Sequence, residues 1–282
     1  MRSNHPLAAV LAIAASALLL VGCAAGGGTV ENSAEPDGDT VTAGKLTIAT
    51  GEPAYYPWVI DDKPESGKGF EAAVAYAVAE EMGYAKDQVV WVRTVFDAAI
   101  APGPKDFDLN LQQFSITDER KAAVDFSSPY YQTSQVVITV EGSPAADATT
   151  LADLKPLLVG AATGTTSFTA IETLIAPNLG AQAFSSNDDA KLALESGTVD
   201  AIVVDLPTAF YLTGVELTGG KIIGQLPADA ATAGDAFGFV LEKDSPLTAS
   251  VTAAVDALRT SGALDELAAT WLADAGEAPL LK

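Results

Sequence analysis

The chain has 282 residues, 49% of them apolar, and sets 37 Asp and Glu against 15 Lys and Arg, a formal net charge of −22. That apolar content excludes general disorder, and a chain this acidic, with no basic cluster, offers nothing to neutralise phosphate, which excludes nucleic acid as a partner. With a single histidine, His5, and a single cysteine, Cys23, there is no internal disulfide, no His-based triad and no imidazole or thiolate metal site, so neither metal nor cofactor is expected.

The opening MRSNHP is short and basic, and residues 7–21, LAAVLAIAASALLLV, are apolar or small. This order of a basic segment, an apolar segment and small residues is that of an export signal, expected over 1–22. As a helix the apolar run rises only about 22 Å, short for a bilayer core. Cys23 directly follows LLLVG and resembles the bacterial lipobox. That resemblance implies a lipid on Cys23, an anchor on the extracytoplasmic face of the cell membrane and attachment by more than one acyl chain. Residues 23–44 are small and polar and read as a flexible tether.

From there the elements follow in chain order. KLTIAT (45–50) is a strand, and a loop rich in Gly, Pro and aromatics follows it. FEAAVAYAVAEEMG (70–83) is a helix with Phe70, Val74, Ala77, Val78 and Met82 on one face and Gly83 at its end. QVVWVR (88–93) is a strand, Thr94 a cap for the short helix after it, and FDLNLQ (107–112) and SQVVITV (134–140) are further strands. EGSPAADATT (141–150) breaks the pattern and marks a crossing into a second unit. There PLLVGAA (156–162), AQAF (181–184), DAIVVD (200–205) and KIIGQL (221–226) alternate with helices, one of them capped by Asn187. FGFVL (237–241) is a last strand, followed by helices over LTASVTAAVDALRTSG and ALDELAATWL. Strand and helix in alternation give an α/β architecture. Ligands in such sheets sit beyond the carboxyl ends of strands, so the loops after 45–50, 107–112, 156–162 and 200–205 converge on a cleft between two lobes.

Those loops hold the candidate residues. Arg120 offers a planar fork to a carboxylate, or is a surface arginine on a helical turn. Ser115 and Thr117 before it donate hydroxyl bonds or cap that turn. In GTTS (164–167) the turn exposes N–H groups to an anion, while Thr165 or Thr166 caps the helix. Asp205 ends an apolar strand, where a carboxylate needs a partner; an ammonium supplies one, and an N-cap role is the alternative. Tyr55, Tyr56, Trp58 and Phe96 wall a pocket or pack in the core. The acid pairs Asp118–Glu119 and Asp188–Asp189 read as solvated surface, and no residue is singled out for catalysis.

FSITDERKAAVDFSSPYY, GKGFEAAVAYAVAEEMGY, GTTS and LESGTVDAIVVD stand in the right order to resemble the extracellular solute-binding proteins of ABC importers, polar amino-acid family (family 3), over about Lys45 to Leu272. The resemblance implies a periplasmic-binding-protein-like (type II) fold: lobe 1 over 45–140 and 236–282, lobe 2 over 141–235, with two hinge crossings near 140–144 and 233–238. It implies a monomer that captures a free amino acid and delivers it to an ABC permease and its ATPase subunit. Arg120 and Ser115 would hold the α-carboxylate, Thr165 and Thr166 would assist from the second lobe, Asp205 would take the α-ammonium, and Tyr55 and Phe96 would be walls. Side-chain specificity falls on Glu52, Trp58, Arg93 and Gln113: Arg93 hints at an acidic or amide side chain, Glu52 at a basic one. Gln112 and Gln113 depart from the small or hydroxyl residues many members carry there. Other uses of this fold are amino-acid sensing and dehydratase chemistry; a structural surface lipoprotein would bind no small molecule.

Overall fold

The computed structural model describes residues 39–228, 235–272 and 278–282. The expected signal over 1–22, the lipidation site Cys23 and most of the tether lie outside the described residues. The end of that tether is pinned: the Val41 N–H donates to Asp108 Oδ1 (2.7 Å) and Gln88 Nε2 to the Gly44 carbonyl (3.3 Å). No helix among the described residues is long and apolar enough to cross a membrane.

The first part of lobe 1 runs β1 (Leu46–Gly51), α1 (Phe70–Glu81), β2 (Val89–Thr94), α2 (Phe96–Ile100), β3 (Leu109–Asn110), α3 (Asp118–Lys121) and β4 (Asp125–Phe126). All of β1 is buried because helices cover both faces of its sheet, the condition under which a strand reads as a continuous apolar run. Alternation along the strand splits its side chains. Leu46 and Ile48 join the cluster built on α1, while Ala49 joins Ala99, Phe107 and Phe114 on the other face.

Two short antiparallel strands, β5 (Tyr131–Thr133) and β11 (Asp235–Phe237), form a ribbon of their own, Asp235 opposite Thr133 and Phe237 opposite Tyr131. Between them come β6 (Gln135–Val140), α4 (Leu151–Leu154), β7 (Val159–Ala162), α5 (Thr166–Ala170), β8 (Gln182–Phe184), α6 (Asn187–Glu195), β9 (Ala201–Asp205), α7 (Leu206–Tyr211) and β10 (Gly220–Gln225). β12 (Val240–Leu241), α8 (Thr248–Ser261) and α9 (Ala263–Trp271) then return to the first lobe. The sheet orders are β2-β1-β3-β12-β4 and β10-β6-β9-β7-β8. The second sheet is also covered on both faces: Val137, Ala201 and Val203 face one cluster, Val136, Ile138, Ile202 and Val204 the other.

Several expectations are corrected here. Strand 135–140 bonds to β10 and β9 of the second sheet, so the first crossing lies at 131–135 and not at 140–144. Residues 278–282 belong with the second sheet too: Leu280 bridges Gln225, and Leu281 is buried in the second core. The expected strand 237–241 is two strands that part at Gly238, one in the ribbon and one in the first sheet. Ser186, not Asn187, caps α6 by accepting from the Asp189 N–H, and Thr94 ends β2 and accepts from Asn110 Nδ2 (2.9 Å) instead of capping α2.

Candidate functional site

The loops at the carboxyl ends of the strands enclose a cavity of about 180 Å³ between the lobes. Lobe 1 contributes Glu52, Tyr55, Phe96, Asp97, Gln112, Gln113, Ser115 and Arg120; lobe 2 contributes Thr165, Thr166, Asn187 and Asp205, among others. All seven residues expected to bind ligand thus meet in one place. Of the four specificity candidates, Glu52 and Gln113 line the cavity and Trp58 and Arg93 do not.

Arg120 rides on α3, a single turn whose cap is Thr117, which accepts from the Arg120 N–H (3.2 Å). The short turn aims the guanidinium inward, where it is only 8% exposed. One Nη donates to the Ser115 carbonyl (2.7 Å), the other reaches across the cleft to the Gly164 carbonyl (2.8 Å), and the guanidinium carbon lies 5.3 Å from the Phe96 ring centre. Burial pushes its pKa down; Asp235, Glu119 and Asp97 push it back up. Gly164 has φ +71, and a Cβ there would run into the Asp97 carboxylate, so the turn needs glycine both for its backbone and for its closeness to the opposite lobe.

The hydroxyls divide. Thr165 is spent on capping: it accepts from the Phe168 N–H (3.1 Å) and donates to the Ala162 carbonyl (2.7 Å). Thr166 donates to Asp235 Oδ2 (3.1 Å), which leaves it to accept from Ser115 Oγ across the cleft (3.2 Å). Asp235 also takes a bond from Gln135 Nε2, and Ser167 Oγ donates to Gln135 Oε1 (2.5 Å). None of Asp235, Gln135 and Ser167 was singled out from the sequence. Their only signal was position, at the crossing and in the turn after a strand.

Asp205 is a helix cap that also faces the cavity. It caps α7, accepting the Thr208 N–H (3.1 Å) and the Thr208 hydroxyl (2.8 Å), and it lines the cavity. Burial pushes its pKa up to about 6 against the pull of those bonds, and Asp235 adds to the rise. Because the Thr208 proton goes to Asp205, the Thr208 oxygen is free to accept from Trp58 Nε1 (3.1 Å). Trp58 itself is buried in the first core, edge-on to Phe70, Tyr131 and Phe237. It is a core residue that reaches the site through one hydrogen bond, not a wall. Tyr55 is a wall: burial and then the Asp188 carboxylate push its phenol up to about 12, opposed by the Asp188 N–H and the Ser186 hydroxyl across the cleft.

Arg93 is corrected as well. It pairs with Asp62 (2.6 Å) and donates to the Gly51 carbonyl (2.7 Å), bracing the end of β1 from outside. The two glutamines also part company. Gln113, at φ +53, gives its backbone N–H (2.7 Å) and its side-chain amide to Glu71. Glu71 is fully buried on α1, also accepts from the Tyr130 hydroxyl, and is pushed up to about 7 chiefly by burial.

Two α/β lobes that close on a cavity, with a guanidinium on one wall and, on the other, a carboxylate that has no cation beside it among the described residues, define a binding protein for a small solute. The chain belongs to the bacterial extracellular solute-binding proteins, family 3, whose family model matches residues 46–274. An L-arginine-binding protein of Pseudomonas aeruginosa is 33% identical over 217 residues, 75% of this chain and 82% of that protein. A solved ancestral arginine-binding protein bound to arginine superposes with a TM-score of 0.66 at 28% identity, covering 81% of this chain and 98% of that one. An ancestral amino acid-binding protein that is a precursor of cyclohexadienyl dehydratase matches with the same TM-score of 0.66 at 28% identity, over 81% of this chain and 95% of that one.

Proposed function

We propose that this protein captures a free amino acid with a cationic side chain outside the cell membrane and hands it to an ABC permease with its ATPase subunit. The observation that carries the reading is the charge of the cavity wall: three carboxylates, Glu52, Asp97 and Asp205, stand against one guanidinium, Arg120. An α-carboxylate on Arg120, helped by Ser115 and Thr166, and an α-ammonium on Asp205 use one charge of each sign. Glu52 and Asp97 remain for a second cation. The names of the arginine-binding relatives support the same choice, and the resemblance of the FSITDER segment to importer components supports the permease as partner. Phe96 and Tyr55 flank the aliphatic stem. A lipid on Cys23 holds the monomer at the membrane, and the ribbon of β5 and β11 is where the lobes hinge.

The test is calorimetry and thermal melting with arginine, lysine, glutamine and glutamate. Arginine or lysine should bind and raise the melting temperature, since a ligand that binds only the folded state stabilises it. Glutamate should not bind. A preference for glutamate, or no response to any of the four, sinks the reading.

A further inference from the structure

Asp235 is a carboxylate to which the binding scheme above gives no part. It begins β11, is 7% exposed and stands behind the residues that line the cavity. Among the described residues no lysine or arginine pairs with it. Its Oδ2 instead accepts from Gln135 Nε2 and from the Thr166 hydroxyl (3.1 Å). We infer that Asp235 is a positioning residue that holds back the affinity for the ligand's α-carboxylate, by keeping the one hydroxyl proton of Thr166 on itself. The inference rests on the reading of Arg120, Ser115 and Thr166 as the seat of that carboxylate.

A threonine hydroxyl has one proton to give and two lone pairs to accept with, while a carboxylate only accepts. In the bond to Asp235 the proton therefore comes from Thr166. The Thr166 oxygen in turn accepts from Ser115 Oγ (3.2 Å) and from Gln135 Nε2 (3.4 Å). Donation runs from Ser115 to Thr166 to Asp235, and neither hydroxyl has a proton left for a ligand. Two further contacts hold this order in place. Ser167 Oγ donates to Gln135 Oε1 (2.5 Å), which keeps the amide nitrogen turned to Asp235 and Thr166. The Ile116 N–H donates to the Ala236 carbonyl (2.8 Å) and the Gly238 N–H to the Phe114 carbonyl (3.1 Å). The strand that begins at Asp235 thus lies directly beside the segment carrying Ser115.

An arriving α-carboxylate must compete for the Thr166 proton with a carboxylate already in place, and hydrogen bonds to an ionised acceptor are the strong ones. The ligand then rests on Arg120 with less help from the hydroxyls than their position offers. A weaker grip shortens the residence time, which suits a protein that must hand its ligand on. An asparagine at position 235 keeps the shape, accepts from Gln135 with its carbonyl and offers an N–H to the Thr166 oxygen. The Thr166 proton is then free for the ligand.

The deciding experiment titrates arginine and agmatine, which is arginine without its α-carboxylate, into the purified protein: wild type, Asp235→Asn, Thr166→Val and the double variant. Asp235→Asn should tighten arginine at least about fivefold and give agmatine no gain. Thr166→Val alone should weaken arginine by less than about threefold, because it removes no proton that the ligand uses. On the Thr166→Val background Asp235→Asn should change arginine by less than about twofold. That arm separates the proton from the mere loss of a charge near Arg120. Arginine unchanged or weaker in Asp235→Asn, an equal gain for agmatine, or a gain that persists without the Thr166 hydroxyl would each overturn the assignment while the amino-acid reading stands. So would a tenfold loss of arginine in Thr166→Val, a result that does not depend on Asp235→Asn folding. A wild-type protein that binds no arginine sinks the reading of the site and the assignment with it.

Discussion

The two walls of the cleft are prepared differently. On lobe 1 the Arg120 guanidinium is already held by two carbonyls, one from each lobe, and has acids around it. On lobe 2 the Asp205 carboxylate has a cap's worth of bonds from Thr208 but no cation, and burial pushes it up to about 6. One charge has its partners within the protein; on the proposed reading the ligand's ammonium supplies the partner of the other. The difference teaches that the lobes contribute unequally: removing the guanidinium should harm both fold and binding, whereas neutralising the carboxylate should harm binding alone.

The largest expected effect tests the satisfied side. Arg120→Ala removes the proposed anchor of the α-carboxylate and leaves the Ser115 and Gly164 carbonyls without the guanidinium that donates to them. Affinity should fall by about 2–5 kcal/mol or more, and the ligand-free melting temperature should fall with it. Calorimetry and melting on the same sample check both; a large affinity loss with an unchanged melting temperature breaks the comparison.

Asp205→Asn should cost affinity on the order of 2–5 kcal/mol, yet leave the ligand-free protein as stable or more so, because an amide still accepts from Thr208 and no longer buries a charge. A folded mutant with wild-type affinity would remove Asp205 from the ligand's contacts.

The same asymmetry gives a pH dependence. Asp205 and Glu71 have folded pKa values raised to about 6 and about 7. Their contribution to ligand-free stability is therefore fully present below the ordinary carboxylate range and lost as pH rises through those values. Binding runs the other way, since an ammonium needs the ionised carboxylate. Below pH about 6 affinity should drop by up to about tenfold per unit, with proton release on binding that Asp205→Asn abolishes. Titrations between pH 5 and 7.5 in buffers of different ionisation heat measure it, and a flat profile counts against Asp205 as the ammonium acceptor.

The smallest effect probes the link between the walls. Trp58→Phe keeps the aromatic packing but removes the one N–H that lobe 1 gives to Thr208. Affinity should weaken by about 0.5–1.5 kcal/mol, with Asp205→Asn and Trp58→Phe less than additive because they share Thr208.

Much of the first lobe was legible in the sequence. The run at 45–50 and the helix from Phe70 agree with β1 and α1 to within two residues at either end, because apolar periodicity is local and long enough to read. Glu71 escaped for the opposite reason: on a helix of small residues it reads as solvent-facing, and only the approach of Gln113 and Tyr130 makes its burial tolerable. The short strands Asp125–Phe126 and Tyr131–Thr133 were equally illegible. Two or three residues carry no period, and their pairing depends on segments more than a hundred positions later.

The sequence by itself determined the α/β class, the loops that carry the chemistry and the residue types in them, since motif, spacing and turn chemistry are properties of neighbours along the chain. Tertiary structure alone decided which of two adjacent glutamines gives its amide to a buried carboxylate, which of two arginines is tied up outside the cavity, and to which sheet the strand 135–140 belongs. Each of those is set by what lies across a strand end or across the cleft: Glu71 takes Gln113, Asp62 takes Arg93, and β9 and β10 take β6. A side chain's partner is chosen by distance in space, and no local pattern encodes it.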